Sequence, residues 1–159
     1  MVSISASGTG YAVPILALVA LTASSANATP QPPEAGEGKV AIMVEGLRSS
    51  RGMLRACLTR DRHHYPDCEH DPVAFRTSVS ASAGNGLVFD HLPAGDYALL
   101  ILHDENGNGR IDKMLGIPRE GVGFSRNPRL FMGPPSFDAV RFTVSSGVTQ
   151  QTVRMHYFL

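Results

Sequence analysis

Between His103 and Pro128 the chain reads HDENGNGRIDKMLGIPREGVGFSRNP, and its first half sets oxygen-bearing side chains at alternate positions around two glycines. A hard cation such as calcium takes six or more oxygens, which a loop supplies most economically from residues at positions 1, 3, 5, 7 and 9, with glycine at 6 for the sharp turn. With Asp104 as position 1, Asn106 and Asn108 fall at 3 and 5, Gly109 at 6, the carbonyl of Arg110 at 7 and Asp112 at 9, while Ile111 supplies an apolar pin. Position 12, where a bidentate acid would complete the shell, is Leu115. Glu105 is expected to point away, and Glu120 returns only if the later chain folds back. The same letters also write a metal-free turn, because Asn and Asp side chains bond the nearby backbone and glycine tolerates positive φ.

Other residue types invite other chemistry. His103 beside Asp104, with Ser125 further on, is the best raw material for a hydrolase, yet a nucleophile needs its base within hydrogen-bond reach. The expectation is a non-catalytic protein, with His103 structural at the end of a buried strand. His63, His64, Cys68 and His70 crowd together in HHYPDCEH, in a spacing that matches no standard zinc pattern. The even pair Cys57 and Cys68 reads instead as a disulfide, contributing about 3 kcal/mol through loop-closure entropy. In GIPREGVGFSRNP there is no phosphate-gripping signature. It reads as a long ordered loop packed back by Ile117, Val122 and Phe124, with Arg119, Arg126 and Arg129 solvated.

The elements that must position these residues are short and β-rich. KVAIMVEGL, MLRACL, VAFRTSV, LVFDHL, AVRFTV and VRMHYFL each alternate or run apolar between turn residues. RSSRG reads as the turn returning the first strand into the second, and SSG as the turn of a C-terminal hairpin. In LPAGDYALLILHD, Tyr97, Leu99 and Ile101 oppose Ala98, Leu100 and Leu102, so both faces are apolar and this strand is expected at the centre. No segment carries a helical stripe. The fold class is all-β: a single antiparallel β-sandwich of about seven or eight strands, prealbumin-like or immunoglobulin-like.

The N-terminus reads differently. YAVPILALVALT is apolar but too short to span a bilayer, and ANA follows as a small-residue cleavage site, so residues 1–28 are expected to be a signal peptide cleaved after Ala28. Residues 29–38 then form a proline-rich linker, and 39–159 a single domain. The 14 basic and 14 acidic residues balance, which gives no footprint for nucleic acid. No second apolar run has spanning length, so the mature chain is expected to be exported, periplasmic or extracellular, without a membrane span. Its partner would be an envelope protein or a small ligand.

LPAGDYALLILHDENGNGRID, then GIPREGVGFSRNP, then GPPSFDAVRF closely resembles the exported bacterial family catalogued as domain of unknown function 2141, from about Val40 to the C-terminus. More distantly, the passage from Phe89 to Tyr97 looks like the strand-turn-strand of prealbumin-like or carboxypeptidase-regulatory-like sandwiches. The resemblance implies a β-sandwich and no particular activity, since such modules are usually accessory or binding domains. Three functions follow as expectations: a non-catalytic module binding calcium through Asp104 to Asp112, a metal-free envelope-interaction protein, and a hydrolase using His103 and Ser125.

Overall fold

The computed structural model describes residues 36–83, 86–131 and 133–159. The expected signal peptide and most of the expected linker lie outside the described residues, although Gly38, the last linker position, already opens the first strand. In chain order the elements are β1 (Gly38–Glu45), β2 (Met53–Thr59), β3 (Phe75–Ser80), β4 (Gly86–Leu92), β5 (Gly95–Asp104), the two-residue strands β6 (Lys113–Met114) and β7 (Ile117–Pro118), β8 (Gly121–Phe124), the single-turn helix α1 (Phe137–Val140), β9 (Phe142–Val144) and β10 (Gly147–Arg154). Among the described residues no helix is long and apolar enough to cross a membrane.

Two sheets share one core. One has the order β10-β1-β4 and the other β3-β2-β5-β8, with β9 pairing the start of β5. Val40, Ile42 and Val44 of β1 and Leu87 and Phe89 of β4 pack against Leu54, Leu58, Tyr97, Leu99 and Ile101 from the opposite sheet. This is the layered arrangement that period-2 alternation requires when one face of each strand must leave water. β5 is apolar on both faces because its outer side is also covered: Ala98 and Leu102 pack with Val122, Phe124 and Val140, and Leu100 and Phe137 lie against them. The central position expected for this strand is therefore observed.

Two connections differ from the sequence reading. β1 and β2 are not a hairpin, since β1 pairs with β4 and β10 while β2 pairs with β3 and β5. β9 and β10 are not a hairpin either: β9 pairs with Gly95 to Tyr97 of β5, and β10 runs parallel to β1. In both places the connection, a longer loop after Glu45 and a tight turn after Val144, carries the chain from one sheet to the other. Val144 and Val153 still point into the same core, so alternation is satisfied by turning the corner as well as by pairing. Val140, expected in a strand, lies in α1, and the stretch expected as a long loop forms β7 and β8, with Ile117 exposed.

The disulfide between Cys57 and Cys68 is present and closes the polar stretch after β2. Asp71 fastens the same stretch from inside, accepting hydrogen bonds from Thr59 Oγ1 and the Val73 amide.

Candidate functional site

The site grows from the end of β5. Asp104 is fully buried on the outer face of its strand, and Arg55 stands opposite Leu102 on β2, one diagonal step away on that face. Arg55 Nε donates to Asp104 Oδ2 at 2.7 Å, and the same oxygen accepts the Gly109 amide at 2.8 Å. Oδ1 accepts the Asn108 amide at 3.1 Å. Burial alone would push this carboxyl up, but Arg55 and the amides of Gly109 and Gly107 outweigh it and hold Asp104 below the usual carboxylate range. Gly52, at φ 73°, lies so close behind that a Cβ would overlap the Asp104 carbonyl oxygen.

From this anchor the chain wraps. Gly107 and Gly109 have φ of 73° and 79°, the left-handed region in which an L side chain is strained. Asn106 Oδ1 accepts the Asn108 amide at 3.0 Å, and Asn108 Oδ1 accepts the Arg110 amide at 2.8 Å. Asn106 Nδ2 and Asn108 Nδ2 both donate to Asp112 Oδ2, at 2.7 and 3.0 Å. Asp104, Asn106, Asn108 and Asp112 are thus joined in one hydrogen-bonded group, and Arg110 contributes its backbone to it while its side chain is exposed.

The chain then makes a tight hairpin. Lys113 pairs with Pro118 and Met114 with Ile117, and the turn residues Leu115 and Gly116 have φ of 50° and 82°. Leu115, at position 12 of the loop pattern, is 96% exposed at the tip. Glu120, in contrast, comes back: its Oε2 accepts the Asp112 amide at 3.4 Å, next to the Arg119 amide bonded to the Asp112 carbonyl at 2.9 Å. Glu120 is only 4% exposed, and its Oε1 is buried without a hydrogen-bond partner. Its carboxyl is pushed up to about 6, first by burial and then by the charges of Asp104, Asp112 and Glu105, against the Asp112 amide.

A cavity of about 250 Å³ opens here, lined by Asn106, Asp112 and Glu120 together with Arg48, Arg51, Glu105 and Arg119. Glu105 does point away from the loop. It accepts Arg48 Nε at 2.9 Å and Ser49 Oγ at 2.6 Å, and Arg48 holds it below its ordinary range. Arg48 also donates to the Arg119 carbonyl at 2.8 Å and lies 4.5 Å from the centre of the Tyr157 ring. Among the described residues no three His, Cys, Asp or Glu side chains are grouped so as to hold a metal ion. Amide and main-chain oxygens would therefore have to join Asp104 and Asp112 in any cation shell.

Arg48 and Arg55 are the contributors that residue spacing missed. Glu120 returns to Asp112 by the folding back on which the sequence reading made it conditional.

The other candidate residues have structural partners. His103 Nε2 bonds the Arg51 carbonyl at 2.9 Å and Nδ1 the Tyr157 hydroxyl at 2.7 Å. Ser125 Oγ donates to the Val140 carbonyl at 2.6 Å and accepts the Leu99 amide at 3.1 Å. Ser125 therefore sits beside Leu99, four residues before His103 on the same strand, roughly 13 Å away at ordinary strand rise. The two do not meet. His64 and His70 bond Asp61 and Asp67 at 2.9 and 3.1 Å, and Cys68 is consumed by the disulfide.

No curated protein and no solved structure matches the chain, so the wider likeness to prealbumin-like sandwiches finds no support there. A family model does match, over residues 42–152, which takes in strands of both sheets and every residue of the loop described above. The chain belongs to the family described as uncharacterized protein conserved in bacteria, DUF2141.

Proposed function

We propose that this protein is an exported, non-catalytic β-sandwich module whose loop end binds a hard cation of the calcium class. The observation that carries this reading is the gathering of Asn106 and Asn108 around one carboxylate oxygen of Asp112, to which both donate through their amide nitrogens, with Asp104 anchoring the wrap through the Asn108 and Gly109 amides. The oxygens of these four side chains, on a loop wrapped by left-handed glycines, match calcium chemistry better than zinc or phosphate chemistry. The carboxylates are not pre-grouped for an ion, so binding would draw the loop together and the affinity would be modest. Export is supported by the leader-like N-terminal sequence and by the Cys57–Cys68 disulfide, which persists in oxidising compartments. The non-catalytic reading is supported by the committed hydrogen bonds of His103 and Ser125.

Thermal unfolding of the purified chain with calcium chloride and with chelator tests the cation reading. Calcium should raise the melting temperature by mass action on the folded state, and Asp112→Asn should remove the response. Identical melting curves under both conditions would end it.

A second reading, an envelope-interaction protein without metal, is favoured by the hairpin tip, where Leu115 is 96% exposed and Met114 and Ile117 are about half exposed at 50% and 43%. Partner capture that persists in chelator and is lost on Leu115→Ser would favour this reading over the first.

A further inference from the structure

The cavity beside the loop carries both signs of charge, since Arg48, Arg51 and Arg119 line it together with Glu105, Asp112 and Glu120. A lone cation there meets the arginines and a lone anion meets the carboxylates, so neither suits it. Most of these groups are already engaged. Glu105 is held by Arg48 and Ser49, and Asp112 by the two asparagine amides. Arg48 is taken up by Glu105 and by the Arg119 and Leu159 carbonyls. Three groups are left over. Arg51 comes no nearer than 3.9 Å to Glu105, and its side chain is 79% exposed. Arg119 is exposed and, among the described residues, in no salt bridge. Glu120 is 4% exposed, and its Oε1 is buried without a hydrogen-bond partner. The 3.4 Å from its Oε2 to the Asp112 amide is long for a hydrogen bond, so this carboxylate is loosely tied. A buried carboxylate oxygen without a donor is costly unless a donor or an opposite charge reaches it.

We propose that this cavity binds a small zwitterion of the α-amino-acid class, its ammonium on Glu120 and its carboxylate on Arg119 and Arg51. The site stands apart from the cation reading above, because neither Asp104 nor Asn108 lines the cavity. An ammonium supplies Glu120 with both donors and positive charge, and the neighbouring charges of Asp104, Asp112 and Glu105 favour a cation at that point. A carboxylate suits guanidinium groups, whose parallel N–H donors match its two oxygens, and Arg119 and Arg51 are the arginines with donors to spare. The Arg119 amide on the Asp112 carbonyl and the Arg119 carbonyl on Arg48 fix the backbone from which Arg119 and Glu120 reach the cavity. The volume of about 250 Å³ lies below the roughly 300 Å³ at which sites for drug-sized ligands begin. It suits a single small metabolite.

Thermal unfolding of the purified chain in chelator, with each common α-amino acid added in turn at millimolar concentration, tests this. At least one should raise the melting temperature by mass action. Calorimetric titration then compares that amino acid with its analogue lacking the amine and its analogue lacking the carboxylate. Each analogue should bind at least about tenfold more weakly, as loss of charge-assisted hydrogen bonds does. Glu120→Gln should weaken the amino acid at least about tenfold and leave the amine-free analogue within about twofold, whereas Arg119→Gln should weaken both. No shift with any amino acid would overturn the proposal and leave the cation reading to its own titration without chelator. An amino acid held as tightly by Glu120→Gln and Arg119→Gln as by the parent would overturn the site. An amine-free analogue that binds the parent as tightly as the amino acid would overturn the role of Glu120.

Discussion

Arg55 Nε donates to Asp104 Oδ2 at 2.7 Å across neighbouring strands, and the same oxygen receives the Gly109 amide. One carboxylate thus ties the sheet to the loop. Asp104 is fully buried while the Arg55 side chain is 36% exposed, so the two partners should respond unequally to removal. Asp104→Ala takes the acceptor from the Gly109 amide and the Arg55 guanidinium, while the Asn108 amide keeps Asn106 Oδ1, and should lower stability by about 3 kcal/mol. Arg55→Ala should cost less, since the amides remain on Asp104. Because the folded state holds this carboxyl below its ordinary range, its contribution is present above the unfolded pKa and lost as pH falls through the folded one. Urea unfolding of parent and variants across that acid range checks both statements; a gap between them that does not narrow in acid would refute the second.

Glu120 has the opposite sign. Its carboxyl rises from 4.5 to about 6 in the folded protein, so the folded state binds the proton more tightly than the unfolded state does. Stability from this group is fully present below about pH 4.5 and is lost as pH rises through about 6, a loss of about 2 kcal/mol in all. In ion-free buffer Glu120→Gln should abolish that slope and be more stable than the parent at pH 7 by about the same amount. Parallel stability profiles for parent and variant from pH 4 to 7 would count against it.

Ser125 bridges the Leu99 amide and the Val140 carbonyl from a fully buried position. Ser125→Ala leaves both groups without that partner and should destabilise by about 2 kcal/mol. Val140 is the last residue of α1, so the loss should be accompanied by earlier hydrogen exchange in Phe137–Val140. Exchange unchanged in that segment would show that Ser125 does not hold α1 to the sheet.

The Cys57–Cys68 disulfide spans eleven residues of sequence and should contribute about 3 kcal/mol. Replacing both cysteines with serine should lower the unfolding midpoint without moving the calcium response, because the disulfide ties β2 to the stretch between β2 and β3 and none of the loop residues 104–112 is part of it. A calcium response lost along with the disulfide would link two regions that are treated above as independent.

Much of the fold was legible locally. The double apolar alternation of Tyr97 to Leu102 identified the central strand because burial on both faces leaves no polar register. The cysteine pairing followed from count alone, and Asp104 to Asp112 could be assembled from spacing because their contacts are made within a few residues. Ser125 was harder to place. Its partners, Leu99 and Val140, are 26 and 15 residues away, and nothing near a serine in sequence distinguishes a hydroxyl that bridges two backbone groups from one that attacks a substrate.

By itself the sequence determined the burial of both faces of the central strand, the existence of a wrapped, oxygen-rich loop, and the cysteine pairing, since these depend on side-chain period, left-handed glycine and residue count. Only the tertiary structure decided which strands are neighbours. The connection after Glu45 or after Val144 keeps the inward pattern whether the chain doubles back in one sheet or crosses to the other, so alternation carries no information on the choice. The same holds for the site: Glu120 reaches Asp112 because two rungs of hairpin pairing bring it there, whereas the residue that linear spacing nominates, Leu115, is turned into water.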